Sequence, residues 1–214
     1  MRIFLAGATG VIGVRLVPLL VAAGHEVAGM TRSPSKSEQL RAQGAEPVVC
    51  DVFDADALVA AVRVCGPDLV LHELTDLPDE VSHLAERRTA NARIRREGTR
   101  NLVAAAHAAG ATRFVAQSVA WPLSGESAAA VAEHEEAVLA FGGVVLRYGQ
   151  FYGPGTYFES SRPGHPRIHI DNAARRTVPQ LDAPAGVVVL ADDPAATDPA
   201  ATDPAATDPA AGQP

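Results

Sequence analysis

Lysine and cysteine are both scarce in this chain of 214 residues. Lys36 is the only lysine, so a tyrosine followed four residues later by a lysine occurs nowhere in the sequence. Cys50 and Cys65 are the only cysteines, and their spacing is not that of metal ligands. We expect them to be buried thiols rather than a disulfide, as is usual for a protein in a reducing cytoplasm.

Long apolar runs and a strong charge imbalance are missing as well. No run approaches the roughly 20 apolar residues of a membrane-spanning helix, and the amino terminus lacks the charged, apolar and cleavage regions of a secretory signal. The net charge of −7 includes five aspartates after residue 190, where no Lys or Arg occurs, which leaves −2 on residues 1–190. The composition predicts a globular, cytoplasmic protein with no nucleic-acid and no membrane partner.

Three evenly spaced glycines follow the first apolar run. Ile3 to Ala6 have no polar interruption, which is typical of a strand buried on both faces. Gly7 then permits a backbone angle forbidden to other residues, Gly10 permits close approach of a pyrophosphate, and Gly13 lets a helix lie close to the strand. The spacing is G-x-x-G-x-x-G rather than the usual G-x-G-x-x-G. We predict that a dinucleotide's phosphates are held here by Gly7, Ala8, Thr9, Gly10, Val11, Ile12 and Gly13.

Strand and helix patterns alternate along most of the remaining chain. Apolar runs predict further strands at 25–30, 46–50, 67–72, 113–117, 144–147 and 186–190. Helices are predicted between them at 11–23, 39–44, 55–64, 91–109, 126–141 and 171–181, with Asp54 as the cap of the helix at 55. The arginines of the helix at 91–109 are expected to form a solvated face. This order predicts an α/β fold, a doubly wound Rossmann-type parallel sheet with helices on both faces.

The residues after the second strand indicate which cofactor is bound. An acid there would accept a hydrogen bond from the ribose of NAD, whereas a cation would suit the extra phosphate of NADP. This chain has Thr31, Arg32 and Ser33, with Lys36 close by and no acid. NADP is therefore favoured and NAD stays possible. The alternative is that Arg32 and Lys36 are ordinary solvated loop charges.

Several motifs in a fixed order carry a family resemblance. They are Gly7-Ala-Thr-Gly-Val-Ile-Gly13, Cys50-Asp-Val-Phe-Asp54, Asn91 with Gly98-Thr-Arg-Asn-Leu102, Arg113-Phe-Val-Ala-Gln-Ser118, Leu146-Arg-Tyr-Gly149 with Tyr152-Gly-Pro-Gly155, and Ile168-His-Ile-Asp-Asn-Ala173. The chain resembles an extended or atypical short-chain dehydrogenase/reductase of the NAD(P)-dependent epimerase/dehydratase kind. The resemblance implies that Arg32 holds the adenosine phosphate, that Asp51 and Val52 border the adenine, and that Ser118 belongs to the catalytic group. A plain alternative for Ser118 is a hydroxyl that caps a turn.

The sequence departs from this family at its catalytic pair. The family uses a tyrosine as acid and base, and a lysine four residues later lowers the pKa of that tyrosine; both lie on the helix before the 144–147 strand. Here that helix carries neither residue. Tyr148, Tyr152 and His134 are candidate substitutes, and Tyr148 is our predicted catalytic residue beside Ser118. The alternatives are that His134 is a surface helix residue and that both tyrosines pack in a loop.

The substrate-binding section is also shortened. The family usually has several dozen residues where this chain has only nine, from Glu159 to Arg167. His165 and His169 are too sparse there to indicate a metal site, so none is predicted. We divide the chain into a cofactor domain at 1–158, a shortened substrate region at 159–190, and a tail at 191–214 that repeats Asp-Pro-Ala-Ala-Thr and is expected to be disordered.

Three functions are compatible with these features. The leading hypothesis is an NAD(P)-binding oxidoreductase that transfers hydride to or from a carbon of a small organic substrate. The second is a cofactor-binding sensor or degenerate paralogue without turnover, which the missing Tyr-x-x-x-Lys pair favours. The third is an isomerase or dehydratase that uses bound NAD, which Arg32 disfavours. The sequence does not indicate the oligomeric state.

Overall fold

A computed structural model describes residues 1–78 and 80–192 of the chain. The repeats that we expect to be disordered lie, from residue 193 onward, outside the described residues. No helix within the described part is long and apolar enough to cross a membrane. In chain order the strands and α-helices are β1 (Arg2–Ala6), α1 (Gly13–Ala22), β2 (Glu26–Thr31), α2 (Ser37–Ala42), β3 (Glu46–Val49), α3 (Ala55–Cys65), β4 (Leu69–His72), α4 (Arg88–Arg93), α5 (Thr99–Ala109), β5 (Arg113–Val119), α6 (Gly125–Ala140), β6 (Val144–Tyr148), β7 (Gln150–Tyr152), β8 (Arg167–His169), α7 (Ile170–Thr177) and β9 (Gly186–Leu190).

Seven strands form one parallel sheet in the order β3-β2-β1-β4-β5-β6-β9. Residues 3–6 and 69–71 in its two central strands have no exposed surface, as expected for a sheet covered on both faces. One face packs against α1, α2 and α7, and the other packs against α3, α5 and α6. The predicted doubly wound α/β fold is confirmed, and all carboxyl ends of its parallel strands lie along one edge.

Side-chain hydrogen bonds to backbone groups stabilise two of the helices. The Asp54 carboxylate accepts a hydrogen bond from the Ala57 N–H at 3.1 Å, so the predicted cap of α3 is confirmed. Pro18 lies inside α1 and has no N–H to offer the carbonyl one turn earlier, at Val14. The side-chain amide of Gln43 donates to that carbonyl at 3.0 Å instead. A partner distant in sequence therefore lets α1 continue through its proline.

The helix predicted at 91–109 is longer and less regular than its pattern suggested. It begins at Arg88, and a π-helical segment at Ile94–Gly98 interrupts it between α4 and α5. Arg93 and Arg100 are exposed, but Arg95 is buried. The prediction that these arginines form a solvated face is thus wrong for Arg95, because the wider π turn changes which residues face inward.

The carboxyl-terminal part returns to the main sheet. The segment predicted as a loop after residue 147 contains the end of β6 and the short strand β7, which pairs in parallel with β8. α7 then packs against α1, and β9 pairs with β6. α7 ends at Thr177 in a 3₁₀ turn, Val178–Asp182, that contains Pro179. The division of the chain at residue 158 stays a prediction.

Candidate functional site

The glycine turn lies at the carboxyl edge, between β1 and α1. Gly7 has a φ of +93°, and a Cβ there would lie 2.8 Å from the backbone carbonyl of Glu73. A Cβ on Gly13 would lie 2.1 Å from the Gly7 oxygen, whereas one on Gly10 would lie 3.3 Å from it. Among the described residues, no side chain caps the amino end of α1. The turn therefore leaves backbone amides at a helix start, an arrangement suited to phosphate.

The ends of β2 and β3 form the wall beside this turn. Thr9 and Thr31 hydroxyls lie 3.2 Å apart and join the turn to β2. The next residue, Arg32, lines a shallow cavity of about 300 Å³ together with Asp51 and neighbouring residues of β3 and α3. The Arg32 side chain is 53% exposed and forms a long ion pair with Asp76, at 3.9 Å. Val52 is buried behind this wall, and its carbonyl accepts from Asn101 at 2.9 Å.

A buried chain of hydrogen bonds joins the end of β4 to α5 and α6. The Leu74 N–H donates to His72 Nδ1 at 3.2 Å, which places the proton of neutral His72 on Nε2, 3.1 Å from Thr99 Oγ1. Thr99 Oγ1 in turn lies 2.7 Å from Nδ1 of His134, whose Nε2 donates to the Gln117 carbonyl at 2.9 Å. In this arrangement each imidazole donates through one nitrogen and accepts through the other. Each ring then carries a single N–H proton and is neutral.

Burial is the main reason that these two histidines stay uncharged. Burial, and then the Arg95 guanidinium, lower the pKa of His134 to about 4. The pKa of His72 is also well below its usual value, through burial and then through His134 and Arg95. His134 is only 1% exposed, so our alternative of a surface residue is wrong. His134 lies on the inner face of α6, and its hydrogen bond to the Gln117 carbonyl connects that helix to β5.

Ser118 lies in a second buried cluster. Its hydroxyl donates to Glu135 Oε1 at 2.5 Å, and Arg147 holds both oxygens of the same carboxylate, at 2.9 and 2.5 Å. Burial opposes ionisation of Glu135, but the hydrogen bonds from Arg147 and Ser118 outweigh it and keep the pKa below its usual value. The Ser118 side chain therefore ties β5 to α6 and β6, and is 3% exposed.

Tyr148 lies on the opposite face of the sheet, inside the core rather than in a loop. Its hydroxyl is 2.6 Å from Thr177 Oγ1 and donates to Glu73 Oε1 at 3.3 Å. The other oxygen of Glu73 is buried without a partner among the described residues. Burial raises the pKa of Glu73 to about 8, so this carboxyl group carries a proton at neutral pH. Burial, and then Glu73, also raise the pKa of Tyr148.

The structure thus separates the residues predicted to act together. Ser118 faces α6, and His134 lies on α6 and bonds β5, whereas Tyr148 faces α7 across the sheet. Sequence reasoning missed Glu73, although an acid placed directly after an apolar strand at the carboxyl edge was a usable signal. It also missed Arg95, for which no signal existed among so many neighbouring arginines.

The fold and its glycine turn define a dinucleotide-binding α/β protein. A family model described as NAD(P)H-binding matches residues 7–140, and the chain belongs to this family. The predicted membership of an NAD(P)-dependent dehydrogenase- and epimerase-like family, and an NAD(P) cofactor, are therefore confirmed.

Named relatives of this chain include a reductase and two dehydrogenases. It is 41% identical over 180 residues to a 3-diazoavenalumate denitrifying reductase of a Streptomyces species, across 73% of this chain and 58% of that protein. It is 33% identical over 120 residues to a 3-beta-hydroxysteroid dehydrogenase of Mycolicibacterium neoaurum, across 53% of this chain and 31% of that protein. The chain thus spans less than two thirds of the length of either relative.

Solved structures share the fold at lower identity. The UDP-glucose 4-epimerase of Thermus thermophilus, in complex with NAD, has a TM-score of 0.74 at 20% identity and covers 89% of this chain and 78% of its own. The Thermotoga maritima UDP-glucose 4-epimerase, with UDP-glucose, has a TM-score of 0.74 at 17% identity. The match covers 89% of this chain and 77% of that epimerase. At such identities the likeness establishes the fold alone.

Proposed function

We propose that this chain is an NADP-dependent reductase that transfers hydride between the nicotinamide and a carbon of a small organic substrate. The observation that carries the proposal is the glycine turn, since Gly7 and Gly13 leave backbone amides at the start of α1 with no room for a side chain. Gly7 to Gly13 would bind the pyrophosphate, and Asp51 and Val52 would border the adenine. The cofactor, when bound, supplies the hydride. The similarity to a reductase supports the reaction type, and a cytoplasmic location is part of the proposal.

The choice of NADP rests on Arg32, and its removal should change cofactor preference. We expect Arg32→Ala to weaken NADPH binding by about tenfold, equivalent to about 1.4 kcal/mol, because the exposed guanidinium can pair with a 2′-phosphate. NADH lacks that phosphate, so its affinity should stay within twofold of the unsubstituted chain. Fluorescence titration with both nucleotides measures the two effects.

Lys36→Ala is the matched control, because it removes the other cation of this region and should weaken NADPH binding less. An Arg32→Ala variant that lost NADPH and NADH affinity equally would contradict selection of NADP by this residue.

Ser118 and Tyr148 remain our proposed catalytic residues, although the hydroxyl of each is buried and already bonded. Each would have to exchange a partner before it reached a substrate. We expect Ser118→Ala to lower turnover at least tenfold, within the typical range for acid–base groups, while NADPH affinity stays unchanged. Consumption of NADPH with a panel of aldehydes and ketones measures turnover, and Ser127→Ala serves as control. Unchanged turnover in Ser118→Ala would remove Ser118 from the catalytic group.

A cofactor-binding protein without turnover is the second candidate. It is favoured by α6, where the buried His134 is neutral and already uses both ring nitrogens. The only lysine, Lys36, follows β2, whereas α6 connects β5 and β6 in the other half of the sheet. Lys36 therefore does not replace the missing lysine of α6. Saturable NADPH binding without NADPH consumption on any compound of the panel would support this alternative.

A further inference from the structure

Arg95 is a buried cation that forms no hydrogen bond and no ion pair in the described part of the chain. It is 7% exposed, and burial lowers its pKa to about 10, so it stays charged at neutral pH. Its neighbours in sequence differ, since Arg93 pairs with Glu97, and Arg96 pairs with Glu126 and Glu133. Across residues 1–78 and 80–192, no group forms a hydrogen bond or ion pair with the Arg95 guanidinium. An unpaired buried charge is costly, so a fold that keeps one needs a reason.

The groups that surround Arg95 do not neutralise it. His72 and His134 are close enough to be affected by its charge, but both are neutral. Glu135 also acts on Arg95 electrostatically, yet its two oxygens are already held by Arg147 and Ser118. The guanidinium therefore keeps five N–H donors in a planar fork, the geometry that matches a carboxylate or a phosphate.

The tip of Arg95 reaches solvent. In the described chain the fully enclosed side-chain atoms that lack a hydrogen bond are Gln43 Oε1 and Glu73 Oε2, and no Arg95 nitrogen is among them. Because those nitrogens also lack partners, the small exposed surface of this residue includes its guanidinium. An arginine buried along its stem with an accessible, unpaired head is arranged to receive a ligand.

The position of Arg95 relative to the carboxyl edge of the sheet indicates which ligand it can contact. Thr99, in the first turn of α5, contacts His72 at the carboxyl end of β4. Arg95 lies about one turn earlier, in the π-helical segment, and so extends beyond the sheet's carboxyl edge, where ligands of open α/β sheets bind. Single π turns are frequent at functional sites.

Across this edge, Arg32 follows β2, the glycine turn follows β1, and Arg95 lies near His72 at the end of β4 and near His134 of α6. The cofactor phosphates thus have their own sites at β1 and β2. The region near β5 is left for the substrate.

We propose that Arg95 binds a carboxylate of the substrate, so that the substrate class is a small organic acid. This inference rests on the proposed function, because it assumes that a substrate binds beside the cofactor at this edge. The fork would hold both oxygens of the carboxylate and fix the orientation of the molecule relative to the nicotinamide. Arg95 acts in binding and takes no part in hydride or proton transfer.

The experiment uses acetate, benzoate and cinnamate as probes, with the three corresponding amides as neutral controls. Their binding to the full chain is measured by calorimetry, with and without saturating NADPH. The variants are Arg95→Met and Arg95→Lys. Methionine has a side chain of similar length but no charge, and lysine keeps the positive charge but lacks the planar guanidinium. Arg100→Met is the matched control, since Arg100 is an exposed arginine shortly after it on the same helical stretch.

We expect at least one carboxylate to bind the unsubstituted chain while its amide does not. Arg95→Met should weaken that binding at least tenfold, Arg95→Lys should weaken it less, and Arg100→Met should not change it. Arg95→Met should also raise the melting temperature, because an unpaired buried charge has been removed. A purely structural arginine would give the opposite shift, and that result would overturn the inference.

Two other outcomes would also overturn it. One is equal carboxylate affinity in Arg95→Met and the unsubstituted chain, or no carboxylate binding by either. The other is a tenfold loss of NADPH affinity in a folded Arg95→Met, which would assign Arg95 to a cofactor phosphate. Failure of the unsubstituted chain to bind NADPH would instead refute the proposed function. The role of Arg95 in carboxylate binding would still be tested in that case, by the titrations without NADPH.

Discussion

Gly13→Ala is expected to abolish tight NADPH binding, with a loss of about 100-fold. The new methyl group would lie 2.1 Å from the Gly7 oxygen and 2.7 Å from the Ala8 carbonyl carbon, so α1 must move away from β1. Overpacking of this kind costs roughly 1–3 kcal/mol, and the displaced helix start no longer presents its amides to the phosphates. Fluorescence titration with NADPH measures the loss, and circular dichroism verifies that the variant is folded.

Gly164→Ala is the matched control for this substitution. A Cβ at Gly164 meets nothing within 4 Å, and the residue does not have a positive φ. We expect NADPH affinity to be unchanged in this variant. If Gly13→Ala bound NADPH as tightly as the control, the glycine turn would not be the phosphate site and the proposed function would lose its main support.

Glu73→Gln is expected to remove a large pH dependence of stability. Folded Glu73 has a pKa of about 8, whereas an unfolded glutamate titrates near 4.5. Between these values the folded state holds a proton that the unfolded state releases, so rising pH favours unfolding. The stability that comes from the protonated carboxyl is fully present below pH 4.5 and is lost as pH rises through 8. The free energy of unfolding should fall by about 3 kcal/mol more in the unsubstituted chain than in Glu73→Gln between pH 5 and pH 8.

Urea unfolding at several pH values measures this difference, because all other titrating groups contribute equally to both proteins. Glu38→Gln is the control, since Glu38 is an exposed acid whose change should leave the profile parallel to that of the unsubstituted chain. Parallel profiles for Glu73→Gln would show that the Glu73 carboxyl is ionised in the folded protein.

Sequence alone predicted most of the framework because its signals are local. The apolar runs at Ile3–Ala6 and Leu69–Leu71 are uninterrupted since both faces of those strands are buried. Gly7 and Gly13 stand where a side chain would collide with backbone, which restricts those positions to glycine. Asp54 caps α3 within three residues of itself. Each feature depends on neighbours along the chain, so it can be read without knowledge of the fold.

The sequence by itself therefore determined the parallel α/β sheet, its glycine turn and the family. Only the tertiary structure decided the environment of the polar residues. It placed Ser118 against Glu135, enclosed His134, buried Arg95 on a π turn and gave Glu73 a raised pKa. The physical reason is that burial and charge pairing depend on groups from distant segments, and no local pattern records which of them will meet.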